Sequence, residues 1–219
     1  MNQQTQQYPR LRLDFYSTAV LMSRWEDDGP FGKLRASRIT AYPVSIHDVV
    51  SACANVELSS GLLPPNTLFW KQQANQMTLG IYVPARRWRV QTTERDYHLP
   101  MPPFIFVGNG SAYKIFAAKK RPVNEHDVVY HAPCPNVHSS GGICQGNVPF
   151  PACSPRNIQT ALTLFMEGSY FNADLSSGKC QSYPDDVRRL WAELDGRKRF
   201  PLSQLAPAQK SLWSLVNHV

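Results

Sequence analysis

The sequence predicts an α+β protein, in which an antiparallel β-meander runs into an irregular functional loop and then into packing helices. Three observations predict it. Between Thr67 and Phe116, five short apolar or aromatic runs are separated by turn residues, the spacing of consecutive antiparallel strands. Residues 130–151 are rich in Pro, Gly, Ser, Asn and Cys and show no periodicity. Loops of that length inside a compact domain are uncommon unless they carry function. Beyond Ser154, apolar residues recur at helical spacing.

Taken in order, residues 11–22 alternate loosely and carry aromatic and β-branched side chains, which reads as a strand. Residues 25–33 are turn chemistry centred on Asp28-Gly29-Pro30. Ser45 reads as an N-cap, with Ile46, Val49, Val50 and Ala54 on one helical face behind it. Pro64-Pro65 then breaks the chain, so residues 1–65 read as an N-terminal α/β extension and 66–219 as the main domain. The five strand-like runs are 67–71, 78–83, 88–91, 104–107 and 112–116. After the loop, Ser154 is placed as an N-cap with Pro155 at the first helical position. Ile158, Ala161, Leu162, Phe165 and Met166 form the apolar stripe of that helix. Pro184 opens another, with Asp185 and Asp186 in its first turn, Val187, Leu190, Trp191 and Leu194 on its buried side, and Gly196 ending it. A last helix is expected over 208–216. There is no internal repeat.

Composition excludes several classes. Of 219 residues, 42% are hydrophobic and 18% charged, which suits a packed core rather than a disordered chain. The net charge of +7 would suit nucleic acid, an anionic membrane or an acidic protein partner, and it is equally the charge of a solvated surface. The basic residues fall in small groups at 86–89, 119–121 and 197–199, with no accompanying nucleic-acid module. No run approaches the ~20 apolar residues that cross a bilayer. Residues 1–9 lack the basic start and apolar run of an export signal. With five cysteines, an odd number, a reducing cytoplasm and free thiols are expected.

The chemistry concentrates in the loop. Its segment Pro135-Asn136-Val137-His138-Ser139-Ser140-Gly141-Gly142-Ile143-Cys144 places Asn136 eight positions before Cys144. This resembles the active-site segment of ubiquitin-conjugating enzymes, with an Asn, an aliphatic residue, a Gly-containing turn and Ile-Cys at that spacing. Upstream, His98-Leu99-Pro100-Met101-Pro102-Pro103-Phe104 resembles the family's aromatic-Pro-x-x-Pro-Pro approach to a core strand. Downstream, Ser154-Pro155 resembles the start of its post-active-site helix. These landmarks cover about residues 67–175. They are most similar to the prokaryotic ubiquitin-conjugating-like family represented by PRTRC system protein B.

The resemblance implies a ubiquitin-conjugating (UBC-like) fold and a bacterial acyltransferase whose Cys144 carries a ubiquitin-like modifier as a thioester. It implies delivery by a ThiF-like activating enzyme and a JAB-type peptidase in the same system. It also implies that Asn136 stabilises the oxyanion and offers Asp174 as the acid that helps an incoming lysine lose its proton. No cofactor is expected. Cys134 stands where that family carries a structural His. The chemistry agrees independently, because a thiolate is strongly nucleophilic and its thioester stays reactive. A positioned amide can also donate to the oxygen on which charge develops.

Other readings of the same residues remain. His131, Cys134, His138 and Cys144 crowd one loop, but the nine residues between the cysteines do not match a structural zinc pair, and no metal is expected. A papain-like pairing would need a downstream His, and His218 is the one present. Cys53 and Cys180 read as packed or incidental, and Cys153 as either packed or functional. The second functional class is a non-catalytic scaffold that binds a ubiquitin-like protein in a plasmid-associated system.

Overall fold

In the computed structural model the chain divides into two compact units, residues 1–59 and 60–219, beside the Pro-rich break at 61–66. The structure describes residues 11–16, 19–25, 39–54, 60–73 and 76–217.

In the first unit, β1 (Leu11–Phe15), β2 (Val20–Trp25) and β3 (Ile39–Val44) form an antiparallel sheet in that order, followed by helix α1 (Ile46–Ala54). The single strand expected over 11–22 is therefore two. The chain reverses where Tyr16 N–H donates to the Ala19 carbonyl at 2.8 Å, so that Phe15 faces Val20. Alternation continues through such a reversal, and a two-residue period cannot reveal it. Ser45 does cap α1, its Oγ accepting from His47 N–H at 3.1 Å. The Asp28-Gly29-Pro30 turn, the side chain of Cys53 and His218 lie outside the described residues.

The second unit holds β4 (Thr67–Gln73), β5 (Gln76–Val83), β6 (Arg86–Thr92), β7 (Asp96–Met101), β8 (Phe104–Asn109), β9 (Ala112–Ala117) and β10 (Val128–His131). After the loop come α2 (Ile158–Glu167), β11 (Tyr170–Phe171), α3 (Val187–Leu194), β12 (Pro207–Ser211) and α4 (Leu212–Asn217). Among the described residues one sheet runs β12-β10-β9-β8-β5-β4 and a smaller one β11-β6-β7. All neighbours pair antiparallel except β11 with β6. The mixed α+β class read from the sequence holds.

The meander contains a bent hairpin that periodicity did not show. Val83 of β5 faces Phe104 of β8, and Arg86 of β6 faces Met101 of β7, three residues further along each arm. The register thus passes unbroken from one sheet into the other. Pro84 on one arm and Pro102-Pro103 on the other interrupt the ladder between them, since proline has no N–H to donate. The segment read as an approach motif is therefore the second half of β7, the Pro102-Pro103 bend and the start of β8. Its Pro100 sits on an edge strand, where a missing donor is tolerated.

Helix α2 packs on β6 and α3 on β7. Leu79, Ile81, Phe104, Phe106, Ile158, Phe165, Trp191 and Leu194 are fully buried between the helices and one face of the sheets. Each such side chain contributes about 1.5–3 kcal/mol of apolar burial. Trp191 meets Phe171 and Tyr97 edge to face at 5.2 and 6.3 Å between centroids, while its Nε1 donates to the Pro133 carbonyl at 2.8 Å. That bond ties α3 to the start of the functional loop. On the other face Ile105, Val107, Phe116, Val129, Ala208 and Leu215 form a second cluster. It is closed where Leu212 and Trp213 N–H donate to the Asp127 and Glu125 carbonyls.

Three helix readings shift. Ser154 caps a turn ahead of α2, its Oγ accepting from Asn157 N–H at 3.2 Å, and Asn157 is the N-cap. Asp186 is the N-cap of α3, its carboxylate accepting from Arg188 N–H at 2.9 Å, so the helix starts after Pro184-Asp185. The terminal helix expected over 208–216 opens instead as β12, paired with β10. That stretch is recruited by a sheet edge distant in sequence, which a local pattern does not report.

Candidate active site

Residues 136–144 form a small hairpin. Val137 and Ile143 bridge antiparallel, His138 N–H donates to the Gly142 carbonyl at 2.8 Å, and Cys144 N–H donates to the Asn136 carbonyl at 2.7 Å. The eight-residue spacing of Asn136 and Cys144 is thus a cross-strand register: the two sit directly opposite each other.

The second arm of this hairpin is pinned to β9. Ile115 N–H donates to the Gly141 carbonyl at 2.8 Å and Ile143 N–H to the Tyr113 carbonyl at 3.0 Å, with Lys114 opposite Gly142. Beyond the cysteine, Gln145 Nε2 donates to the Ser111 carbonyl at 2.6 Å. A hollow of about 290 Å³ runs along this arm, lined by Gln76, Asn109, Tyr113, Lys114, Gly142 and Gln145. Gly141, at φ 90°, lies so close to the Phe116 ring that no Cβ fits.

Alternation divides the hairpin into two faces. Val137 and Ile143 point inward and are buried, as is Cys134 ahead of them. Asn136, His138, Gly142 and Cys144 occupy the opposite face, with Cys144 exposed. Of the four His and Cys side chains that crowd the sequence, Cys134 is thus divided from His138 and Cys144. Among the described residues no three His, Cys, Asp or Glu side chains are placed to share a metal ion.

Asn136 adopts a left-handed backbone at φ 58°, which Asn tolerates better than most residues. Its N–H donates to the Asp174 carbonyl at 2.9 Å and its Nδ2 to the Tyr170 carbonyl at 3.0 Å. The segment after α2 thus holds both the backbone and the amide of Asn136. An amide nitrogen carries two hydrogens, and one remains for a ligand. Asp174 is exposed, its carboxylate accepting from Asn172 Nδ2 at 2.8 Å and its N–H donating back to Asn172 Oδ1 at 2.9 Å. The structure therefore brings together all three residues singled out in the sequence: Asn136 and Cys144 as facing partners, and Asp174 through its backbone.

Electrostatics distinguish the thiols. Burial pushes Cys134 up to about 12 and Cys153 up to about 11, and it raises Cys180 as well, so these remain protonated and inert near neutral pH. Cys144 is the exposed thiol among the described residues. Behind the hairpin lies Lys179, which no periodicity marked. It is 3% exposed, its Nζ donates to the His138 carbonyl at 3.4 Å, and burial lowers its pKa. Half-buried His131 is also pushed down, first by burial and then by Lys179 and Lys210. The sequence around Lys179, between Gly178 and Cys180, holds no signal that would have found it.

An exposed thiol facing an asparagine across a hairpin is an arrangement compatible with acyl transfer. Among the described residues no helix is long and apolar enough to cross a membrane. No curated protein and no solved structure matches the chain. The family described as prokaryotic E2 family D matches residues 45–208, from the N-cap of α1 into β12 and across the whole hairpin. With three quarters of its length matched, the chain belongs to prokaryotic E2 family D.

Proposed function

We propose that this protein is a ubiquitin-conjugating-like enzyme with a UBC-type fold, carrying a ubiquitin-like modifier on Cys144 as a thioester. The observation that carries the reading is the direct pairing of Asn136 and Cys144 across the exposed face of the hairpin. Cys144 attacks the modifier's C-terminal carbonyl on a ThiF-like activating enzyme, and the activating enzyme's thiolate leaves. The hollow beside the second arm offers room for the extended tail of the modifier.

An amine then attacks the Cys144 thioester, and negative charge gathers on the carbonyl oxygen. As that oxygen's charge collapses, the new C–N bond is kept, the C–S bond breaks and the Cys144 thiolate leaves. The second N–H of Asn136 donates to that oxygen, while its first stays on Tyr170. Asp174, joined to Asn136 through its backbone, accepts the proton that the amine sheds. A JAB-type peptidase in the same system would remove the modifier again.

The test is reconstitution of the full chain with its modifier, activating enzyme and ATP. A thiol-sensitive adduct is expected, replaced in Cys144→Ser by a thiol-resistant ester. An adduct unaffected by Cys144→Ser, or none at all, would overturn the proposal and favour a scaffold that binds the modifier without catalysis.

A further inference from the structure

His138 lies on the same face as Cys144. In the hairpin register His138 faces Gly142 while Asn136 faces Cys144, so His138 and Cys144 are diagonal neighbours on one side. Diagonal pairs hold their Cβ atoms roughly 7–8 Å apart or somewhat less, a gap that an imidazole can span. The residue between them that could intervene is Gly142, which has no side chain. The His138 ring already leans over it, with Cδ2 3.9 Å from where a Cβ would stand. The backbone of His138 is held three times: its N–H by Gly142, and its carbonyl by Gly141 N–H at 2.9 Å and Lys179 Nζ at 3.4 Å. The exposed ring is thus carried on a fixed stem.

We infer that His138 is the proton acceptor for Cys144. This rests on the conjugating reading above. In loading, the thiol proton passes to the imidazole as the sulfur attacks the incoming thioester carbonyl. A new C–S bond forms, the old one breaks, and the imidazolium returns the proton to the departing thiolate. Imidazole suits this because it takes up and releases protons near neutral pH. The charged groups around this face are Lys179 at the His138 carbonyl, Lys114 opposite Gly142 and Asp174 behind Asn136. Cys134 is buried on the inner side of the loop and His131 ends β10, and neither takes part.

Two measurements on the full chain test it, both comparing wild type with His138→Gln, which preserves the backbone anchors. In the first, the alkylation rate of Cys144 by iodoacetamide is followed from pH 5 to 9 by mass spectrometry of its peptide. Near neutral pH wild type should react about tenfold faster than His138→Gln. Superimposable profiles would overturn the inference. In the second, loading from the activating enzyme should slow by a similar factor near pH 6.5 in His138→Gln, still reaching the same final adduct. Equal loading rates would also overturn it. Absence of any adduct beside altered alkylation profiles would sink the conjugating reading while leaving the thiol–imidazole pairing standing.

Discussion

Asn136 combines three demands on one residue: a left-handed backbone, an amide anchored on Tyr170, and a carbonyl that fixes the Cys144 N–H. Replacing it by Ala would confuse them, because Ala lacks the short polar side chain that lets Asn tolerate the left-handed region, so backbone strain would be added to the loss of the amide. Asn136→Gly separates them. Gly keeps the backbone at φ 58° and both main-chain bonds, and it removes the amide alone. The expected outcome is a Cys144 adduct that still forms but discharges to an amine ~10²–10³-fold more slowly, measured in single-turnover assays. Loss of loading as well would mean that the amide serves structure more than transfer. The identity of this residue, and its distance from Cys144 in sequence, were legible. That its amide is positioned by Tyr170, 34 residues later, was not, because the bond depends on how the segment after α2 returns to the loop.

The hairpin 136–144 is an element without propensity of its own. Residues 136–144 are rich in Ser, Gly and Asn, which disfavour strands, and the sequence accordingly reads as loop. The arm 141–143 becomes ordered because β9 lends it a ladder and Val137 and Ile143 bury themselves beneath it. Gly141 is the residue that allows this approach. Gly141→Ala places a Cβ at φ 90° against the ring of buried Phe116, and a cost of roughly 2–4 kcal/mol is expected in urea denaturation. Activity at Cys144 should fall with it. A change under about 0.5 kcal/mol would show that the arm is free to move off β9. The same dependence on neighbours explains the other misread elements. Residues 208–211 become strand because β10 offers an edge, and β7 forms in spite of Pro100 because its register continues that of β8.

At the scale of the whole molecule, buried ionisable groups couple folding to pH. Cys134 is pushed from an ordinary 9.0 up to about 12, so below pH 9 it is protonated whether the chain is folded or not and contributes nothing to the pH dependence. Between pH 9 and 12 the unfolded chain releases this proton and the folded chain keeps it, so stability falls as pH rises. Lys179 acts with the opposite sign, because burial lowers its amine from 10.5 and stability therefore rises with pH up to that value. Comparing wild type with Cys134→Ala isolates the thiol. The stability difference between them should shift against wild type above pH 9, by up to about 1.4 kcal/mol per pH unit, in denaturant titrations at fixed pH. A constant difference would refute the assignment. The tertiary structure also joins basic groups that the sequence keeps apart. Arg87 donates to the carbonyls of Arg197 and His98, bringing the 86–89 and 197–199 groups together, while Arg86 stacks over Trp88 at 3.4 Å.

By itself the sequence determined the α+β class, the order meander, loop and helices, and the buried stripes of α2 and α3, and it marked Asn136 and Cys144 as residues eight positions apart in the loop. These are local properties, carried by periodicity and turn chemistry. That the spacing of eight is a cross-strand pair was decided by the fold. Tertiary structure alone decided the bent hairpin shared by two sheets, the recruitment of β12, the anchoring of Asn136 by the segment after α2, and the division of the loop into an inner and an outer face. That division separates Cys134, sealed beneath the sheet, from Cys144 and His138 above it. Its physical cause is the ladder with β9, a contact between segments some thirty residues apart, for which no pattern within either segment is evidence.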